Sequence, residues 1–161
     1  MAIAFRKTVA IAALALSASF LPVTATAAGA TTTAPRAART PGIYCLANTW
    51  NVPTVSSKPC NTGDPGQHWT IEGDQISLTR APGYCLANTW GTPTVSSKPC
   101  NAGDQGQYWS ISDEQIFLTT APGYCLANDW DTPDILVKPC DPRDPGQHWV
   151  VFGDQISLAL V

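Results

Sequence analysis

"GQHW" at residues 66–69 returns as "GQYW" at 106–109 and again as "GQHW" at 146–149, a step of forty residues each time. Two cysteine series keep the same step: Cys45, Cys85 and Cys125, then Cys60, Cys100 and Cys140. Upstream, "YCLANTW" at 44–50 and 84–90 becomes "YCLANDW" at 124–130. Downstream, "DQISL" at 74–78 and 154–158 flanks "EQIFL" at 114–118. Three units, about 41–80, 81–120 and 121–161, account for the chain from residue 41 onward. Self-similarity at fixed period outranks local signals, because each copy is a small unit that buries its apolar face only against its neighbours. An open stack needs polar caps, yet the terminal copies are no more polar than the middle one. A closed ring of three meets this better, with a propeller as the second reading.

Within a copy the pattern is β. "YCLA" is a short apolar run after Pro-Gly, and "TVSSK" is β-branched and polar until Pro59 stops it. In "QHWTIEGDQISL", Trp69 and Ile71 share one face, as do Ile76 and Leu78 across a Gly73-Asp74 turn. Alternation of period two on both sides of a turn reads as a hairpin, and Gly suits its left-handed first position. The second copy places Asp113-Glu114 there, which predicts a looser hairpin. About four strands per copy, hence twelve in all, make an all-β chain.

The first forty residues differ in kind. Arg6 and Lys7 precede an apolar run from Val9 to Val23, then small residues around Ala25 and Ala27. This order describes a secretory signal peptide over 1–28. The run is short for a membrane span and contains Pro22, so no membrane insertion is expected after cleavage. Residues 29–40, "GATTTAPRAART", are too small and polar to offset the entropy of ordering and read as a flexible leader. The domain proper is then 41–161, and the product is secreted. Without Arg6 and Lys7, seven basic residues face twelve acidic ones, a net charge near −5. No Lys/Arg cluster is present, which argues against a nucleic-acid partner. The sequence sets no oligomeric state.

Six cysteines in an exported chain suggest disulfides. Threefold repetition favours closure within each copy, Cys45–Cys60, Cys85–Cys100 and Cys125–Cys140. A ring scheme linking successive copies stays open. Each local bridge closes a loop of about 15 residues, worth about 3 kcal/mol. Zinc is disfavoured, since the spacing is not C-x-x-C and Tyr108 replaces the histidine of the other copies; neither metal nor cofactor is expected.

A forty-residue unit with "CL" near its start, a second Cys midway and Q-x-W near its end resembles the ricin-type β-trefoil lectin family. The motifs are Gln67-His68-Trp69, Gln107-Tyr108-Trp109 and Gln147-His148-Trp149, and the resemblance covers all of 41–161. It implies a β-trefoil of twelve strands, six in a short barrel and six in a hairpin cap. Trp69, Trp109 and Trp149 would fill the core with Ile71, Ile76, Leu78 and their equivalents. Gln67, Gln107 and Gln147 would bond backbone at each unit's bend, and the middle residue of Q-x-W would face solvent. The resemblance also implies sugar binding, with up to one weak pocket per unit and glycans or polysaccharide as partners.

Here the chain departs from the family. Sugar-binding units carry Asp two residues after the first Cys, where this chain has Ala47, Ala87 and Ala127. The stacking aromatic usual before the second Cys is replaced by Lys58, Lys98 and Lys138. A displaced constellation is available instead. Trp50, Trp90 and Trp130 lie on a loop, beside Asn48, Asn88 and Asn128. An indole stacks on a pyranose face, an amide both donates and accepts, and Lys adds a charged donor. The alternative is that each indole lids its own Cys–Cys loop. In the third unit Asp129 and Asp131 flank Trp130, with Asp134, Asp141 and Asp144 near in sequence, making that unit the first choice for a sugar or calcium site; a solvated acidic face is the other reading. Catalysis is not expected, because nearly every polar residue comes in threes and no nucleophile–base motif appears. The leading function is a secreted carbohydrate-binding protein. The alternatives are a protein-binding trefoil such as a protease inhibitor, and a lectin scaffold that has lost its sugar.

Overall fold

The computed structural model describes residues 41–159, so the signal peptide expected over 1–28 and the leader expected over 29–40 lie outside the described residues. The all-β expectation holds. Unit 1 contains β1 (Pro41–Asn48), β2 (Val55–Pro59), β3 (Trp69–Glu72) and β4 (Gln75–Leu78). Unit 2 repeats them as β5 (Ala81–Asn88), β6 (Val95–Pro99), β7 (Trp109–Ser112) and β8 (Gln115–Leu118). Unit 3 supplies β9 (Ala121–Asn128), β10 (Ile135–Pro139), β11 (Trp149–Phe152) and β12 (Gln155–Ala159). A single 3-10 turn precedes the third strand of each unit.

Hydrogen bonding does not respect the sequence repeat. The three antiparallel sheets run β3-β4-β5-β6, β10-β9-β8-β7 and β11-β12-β1-β2, so each is half one unit and half the next. The last closes the ring, with Pro41 opposite Ala159 and Cys45 opposite Ser157. Two further sets of contacts hold the sheets together. Isolated bridges join Thr54 to Ser96, Thr94 to Leu136 and Ser56 to Asp134. At the hairpins, the Trp69, Trp109 and Trp149 amides donate to the carbonyls of Asp154, Asp74 and Glu114, each in another unit, at 2.6–2.7 Å. The result is a β-trefoil.

The core forms around the threefold axis. Trp69, Trp109 and Trp149 are 2% exposed or less, packed with Leu46, Leu86, Leu126, Ile76, Ile116, Ile156 and their neighbours. Each indole Nε1 donates at 2.9 Å to a strand carbonyl, that of Leu46, Leu86 or Leu126, so burial leaves no donor unsatisfied. One core expectation is corrected. Ile71 is only partly buried, and its equivalents Ile111 and Val151 are exposed. They lie on β3, β7 and β11, each the edge strand of its sheet, whereas the opposing Ile76, Ile116 and Ile156 lie one strand further in.

All three bridges close within their units, with Cα–Cα distances of 4.9–5.0 Å. Each Q-x-W glutamine does bond backbone at the bend. Gln67 Nε2 donates to the Pro59 carbonyl at 3.0 Å, and its Oε1 accepts from the Asn61 amide at 2.8 Å; Gln107 and Gln147 repeat both contacts. The hairpin of unit 2 is not looser. Its register, Trp109 opposite Leu118 through Ser112 opposite Gln115, matches the other two. The backbone adapts instead: Asp113 and Glu114 both take positive φ, 51° and 66°, where the other hairpins place only Gly73 and Gly153.

Candidate functional site: clefts at the unit seams

Three local devices build the surface around the loop tryptophans. The first is the end of the first strand. Asn48 is buried, and its Nδ2 donates to the Val52 and Thr54 carbonyls at 3.1 and 3.2 Å. Asn88 does the same to Thr92 and Thr94, and Asn128 is equally buried. The Asn48 and Asn88 amides thus pin their loops from inside. Asn48 and Asn88 also line the clefts described below, so pinning the loop does not take them away from the cleft surface.

The second device anchors the loop to the following unit. The carbonyls of Pro53, Pro93 and Pro133 accept from the backbone amides of Ser97, Val137 and Ser57 at 2.7–2.8 Å. Each loop is thus laid on the second strand of the next unit, counting around the ring. The third device is a bulge. Ser77 pairs with Cys85 and Leu78 with Ala81, so Pro82-Gly83-Tyr84 have no partners on β4 and are thrown outward. Pro122-Gly123-Tyr124 repeat this against β8.

Together these devices bring the loop of one unit against the bulge of the next. A cleft of about 550 Å³ is lined by Asn48, Trp50, Val52 and Pro53 of unit 1 and by Tyr84, Ser97 and Lys98 of unit 2, with Leu78 and Ala81 also on its walls. A second, about 410 Å³, is lined by Asn88, Trp90 and Pro93 of unit 2 and by Tyr124 and Val137 of unit 3, with Leu118 and Ala121. Trp50, Trp90 and Trp130 are 48%, 51% and 58% exposed, and Tyr44, Tyr84 and Tyr124 are 41–50% exposed. Rings of this size left half in water forgo burial worth about 1 kcal/mol or more each.

The structure therefore regroups the residues chosen from sequence. Trp50 shares a cleft with Lys98 rather than with Lys58 of its own unit. Tyr84 and Tyr124 were missed, although a Gly within an apolar strand signals a bulge and the repeated "PGYC" carried that sign. In unit 3 the carboxylates serve separate local tasks. Asp144 Oδ1 caps the 3-10 turn by accepting from the Gly146 amide, as Asp64 and Asp104 do in the other units. Asp141 Oδ1 accepts from the Arg143 amide, and Asp134 Oδ2 from the Thr132 hydroxyl. Asp129 Oδ1 lies 3.9 Å from Lys138 Nζ. Asp131 is exposed beside Trp130. Among the described residues no group of three His, Cys, Asp or Glu side chains is placed to hold a metal ion.

The middle residue of Q-x-W is drawn inward more than expected: His148 is buried, and His68 and Tyr108 are only partly exposed. His68 Nε2 lies 2.9 Å from the Thr62 carbonyl and its Nδ1 2.7 Å from Asp154 Oδ2. His148, buried, lies 2.9 Å from the Pro142 carbonyl and 3.5 Å from Glu114 Oε2. The Tyr108 hydroxyl donates to the Ala102 carbonyl at 2.9 Å. This position locks the 3-10 turn and, where it is His, meets a carboxylate of another unit.

The model of the ricin-type β-trefoil lectin domain matches residues 38–150. No curated protein matches the chain. Among solved structures, similar folds include a non-toxic homologue of type II RIPs from bitter gourd, Momordica charantia, in complex with α-methyl-D-galactoside. That likeness has 19% identity and a TM-score of 0.60, and covers 70% of this chain and 48% of that one. GalNAc-T7 with UDP, GalNAc and Mn²⁺ gives 19% identity and a TM-score of 0.60, over 70% of this chain and 21% of that one. The C-half of an earthworm R-type lectin in complex with GalNAc gives 11% and 0.50, over 71% and 95%. The chain thus spans about half the length of the first and a fifth of the second. At these identities the likeness is one of fold. The family match takes in most of the chain and runs through all three Q-x-W motifs, whose indoles and bridges stand where such a domain needs them: the chain belongs to the ricin-type β-trefoil lectin family.

Proposed function

We propose that this protein is a secreted, non-catalytic carbohydrate-binding domain, and that its sugar sites are the clefts at the unit seams. One observation carries the reading: a half-exposed Trp from one unit and a half-exposed Tyr from the next line the same cleft, and the arrangement occurs twice. Two exposed rings in one cleft offer stacking to the apolar faces of a pyranose. The loop carbonyls are already committed, so specificity falls to the few polar groups on the second-strand side. All three of the similar folds named above were solved with a sugar, α-methyl-D-galactoside in one and GalNAc in the other two, which favours this ligand class. The family's usual Asp is Ala here and buried at all three positions, which supports a binding surface on the loop instead. Several weak sites on one rigid body suit a repeating glycan, because a second contact then forms at high effective concentration.

The test is a glycan array on the oxidised protein, followed by Trp50→Ala, Trp90→Ala and the double variant. Removing a stacking ring is expected to weaken the cleft it lines by about tenfold. An array without signal, or full retention by the double variant, sinks the proposal.

A further inference from the structure

Resting on that reading, we infer that the two clefts differ in the sugar they take: the cleft between units 1 and 2 takes an acidic pyranose bearing a carboxylate, and the cleft between units 2 and 3 a neutral one. The two share their aromatic walls and their Leu and Ala floor, and differ where the second strand of the following unit contributes. The first cleft is lined there by Ser97 and Lys98 and the second by Val137. The Ser97 hydroxyl accepts from Asn48 Nδ2 at 2.8 Å, which fixes its oxygen on the cleft floor.

The charge differs as well. Lys98 and Lys138 hold the same register, opposite Cys85 and Cys125. Lys138 has the Asp129 carboxylate 3.9 Å away, and the residue matching Asp129 in unit 2 is Thr89. Among the described residues Lys98 has no carboxylate partner, so its ammonium remains available to a ligand. A carboxylate is the group such a cation binds best, through a charge-assisted hydrogen bond. The first cleft is also larger, about 550 against 410 Å³, leaving room for the added group.

The experiment uses the full, oxidised protein and matched pairs that differ only in charge: trimers of galacturonic and of glucuronic acid, each with its methyl ester. Binding is followed by NMR at the indole N–H signals, with Trp50 and Trp90 assigned through Phe substitution. The Trp50 signal is expected to titrate with an acid about tenfold more tightly than with its ester. That preference should shrink at about 0.5 M salt, vanish in Lys98→Met and survive in Lys98→Arg. Trp90 should respond alike to both members of the pair. Equal titration of Trp50 by acid and ester, or a preference that Lys98→Met leaves intact, overturns the inference while sugar binding stands. Silence of Trp50 toward all four trimers, with the glycan array positive, also overturns it. A blank array instead overturns the parent reading.

Discussion

At the scale of single residues, the glycine of each "GQxW" shows how a short motif encodes a close approach. A Cβ built on Gly66, Gly106 or Gly146 would lie 2.2, 2.3 or 2.6 Å from the carbonyl oxygen of Asn48, Asn88 or Asn128. That carbonyl belongs to backbone and cannot step aside. Gly106→Ala is therefore expected to cost about 1–3 kcal/mol, read as a fall in the denaturation midpoint. Gly83→Ala, whose added methyl meets nothing within 4 Å, should stay within about 0.5 kcal/mol. A result in which the two variants behave alike would remove the steric argument. The same scale explains what sequence reading conveyed and what it misread. Trp69 and Gln67 were legible because one motif at one spacing recurs in all units. Asn48 was read as a binding group from its residue type, and its second task, holding two loop carbonyls beside the cleft it lines, left no mark in the sequence. His68 and His148 were assigned to solvent because the carboxylates they meet, those of Asp154 and Glu114, come from another unit.

At the scale of elements, the hairpin of unit 2 keeps its register at a conformational cost. Left-handed backbone is unfavourable for residues other than Gly, though Asp tolerates it better than most. Asp113→Gly is expected to stabilise the protein by about 0.5–1 kcal/mol, measured as a rise in Tm. Glu114 is the less suitable position, because its carboxylate faces His148. A lowered Tm for Asp113→Gly would mean that the carboxylate, which accepts from the Ser112 hydroxyl, matters more than the turn. The bulge at Pro82-Gly83-Tyr84 works in the opposite direction. It breaks the ladder between β4 and β5 and in doing so presents Tyr84 to the neighbouring loop. Alternation within a strand predicts which face a residue takes. It does not predict where a strand is interrupted, and so the Tyr half of each cleft stayed hidden while the Trp half was visible.

At the scale of the whole molecule, stability is divided three ways. Each disulfide spans fifteen positions and ties the first strand to the chain just past the second. Replacing Cys85 and Cys100 by Ser is expected to cost about 2–4 kcal/mol in denaturant unfolding. The matching double replacements in units 1 and 3 should cost similar amounts, since loop length and bridge placement are the same. A unit whose bridge could be removed without loss would show that the repeats are energetically unequal. The seams follow from the same symmetry. Because every sheet is shared by two units, the surface where a ligand would sit belongs to neither, and a motif search within one repeat cannot assemble it.

The pairing of Pro41 with Ala159 carries one more implication. In hydrogen-bonding terms the domain is an endless loop with a single covalent cut, and the cut falls at one of three equivalent junctions. Circular permutation that spliced this junction and reopened the backbone at Thr79-Arg80 or Thr119-Thr120 would retain every sheet and every bridge. The order in which the repeats are read out is thus a property of the gene, and the folded object is indifferent to it.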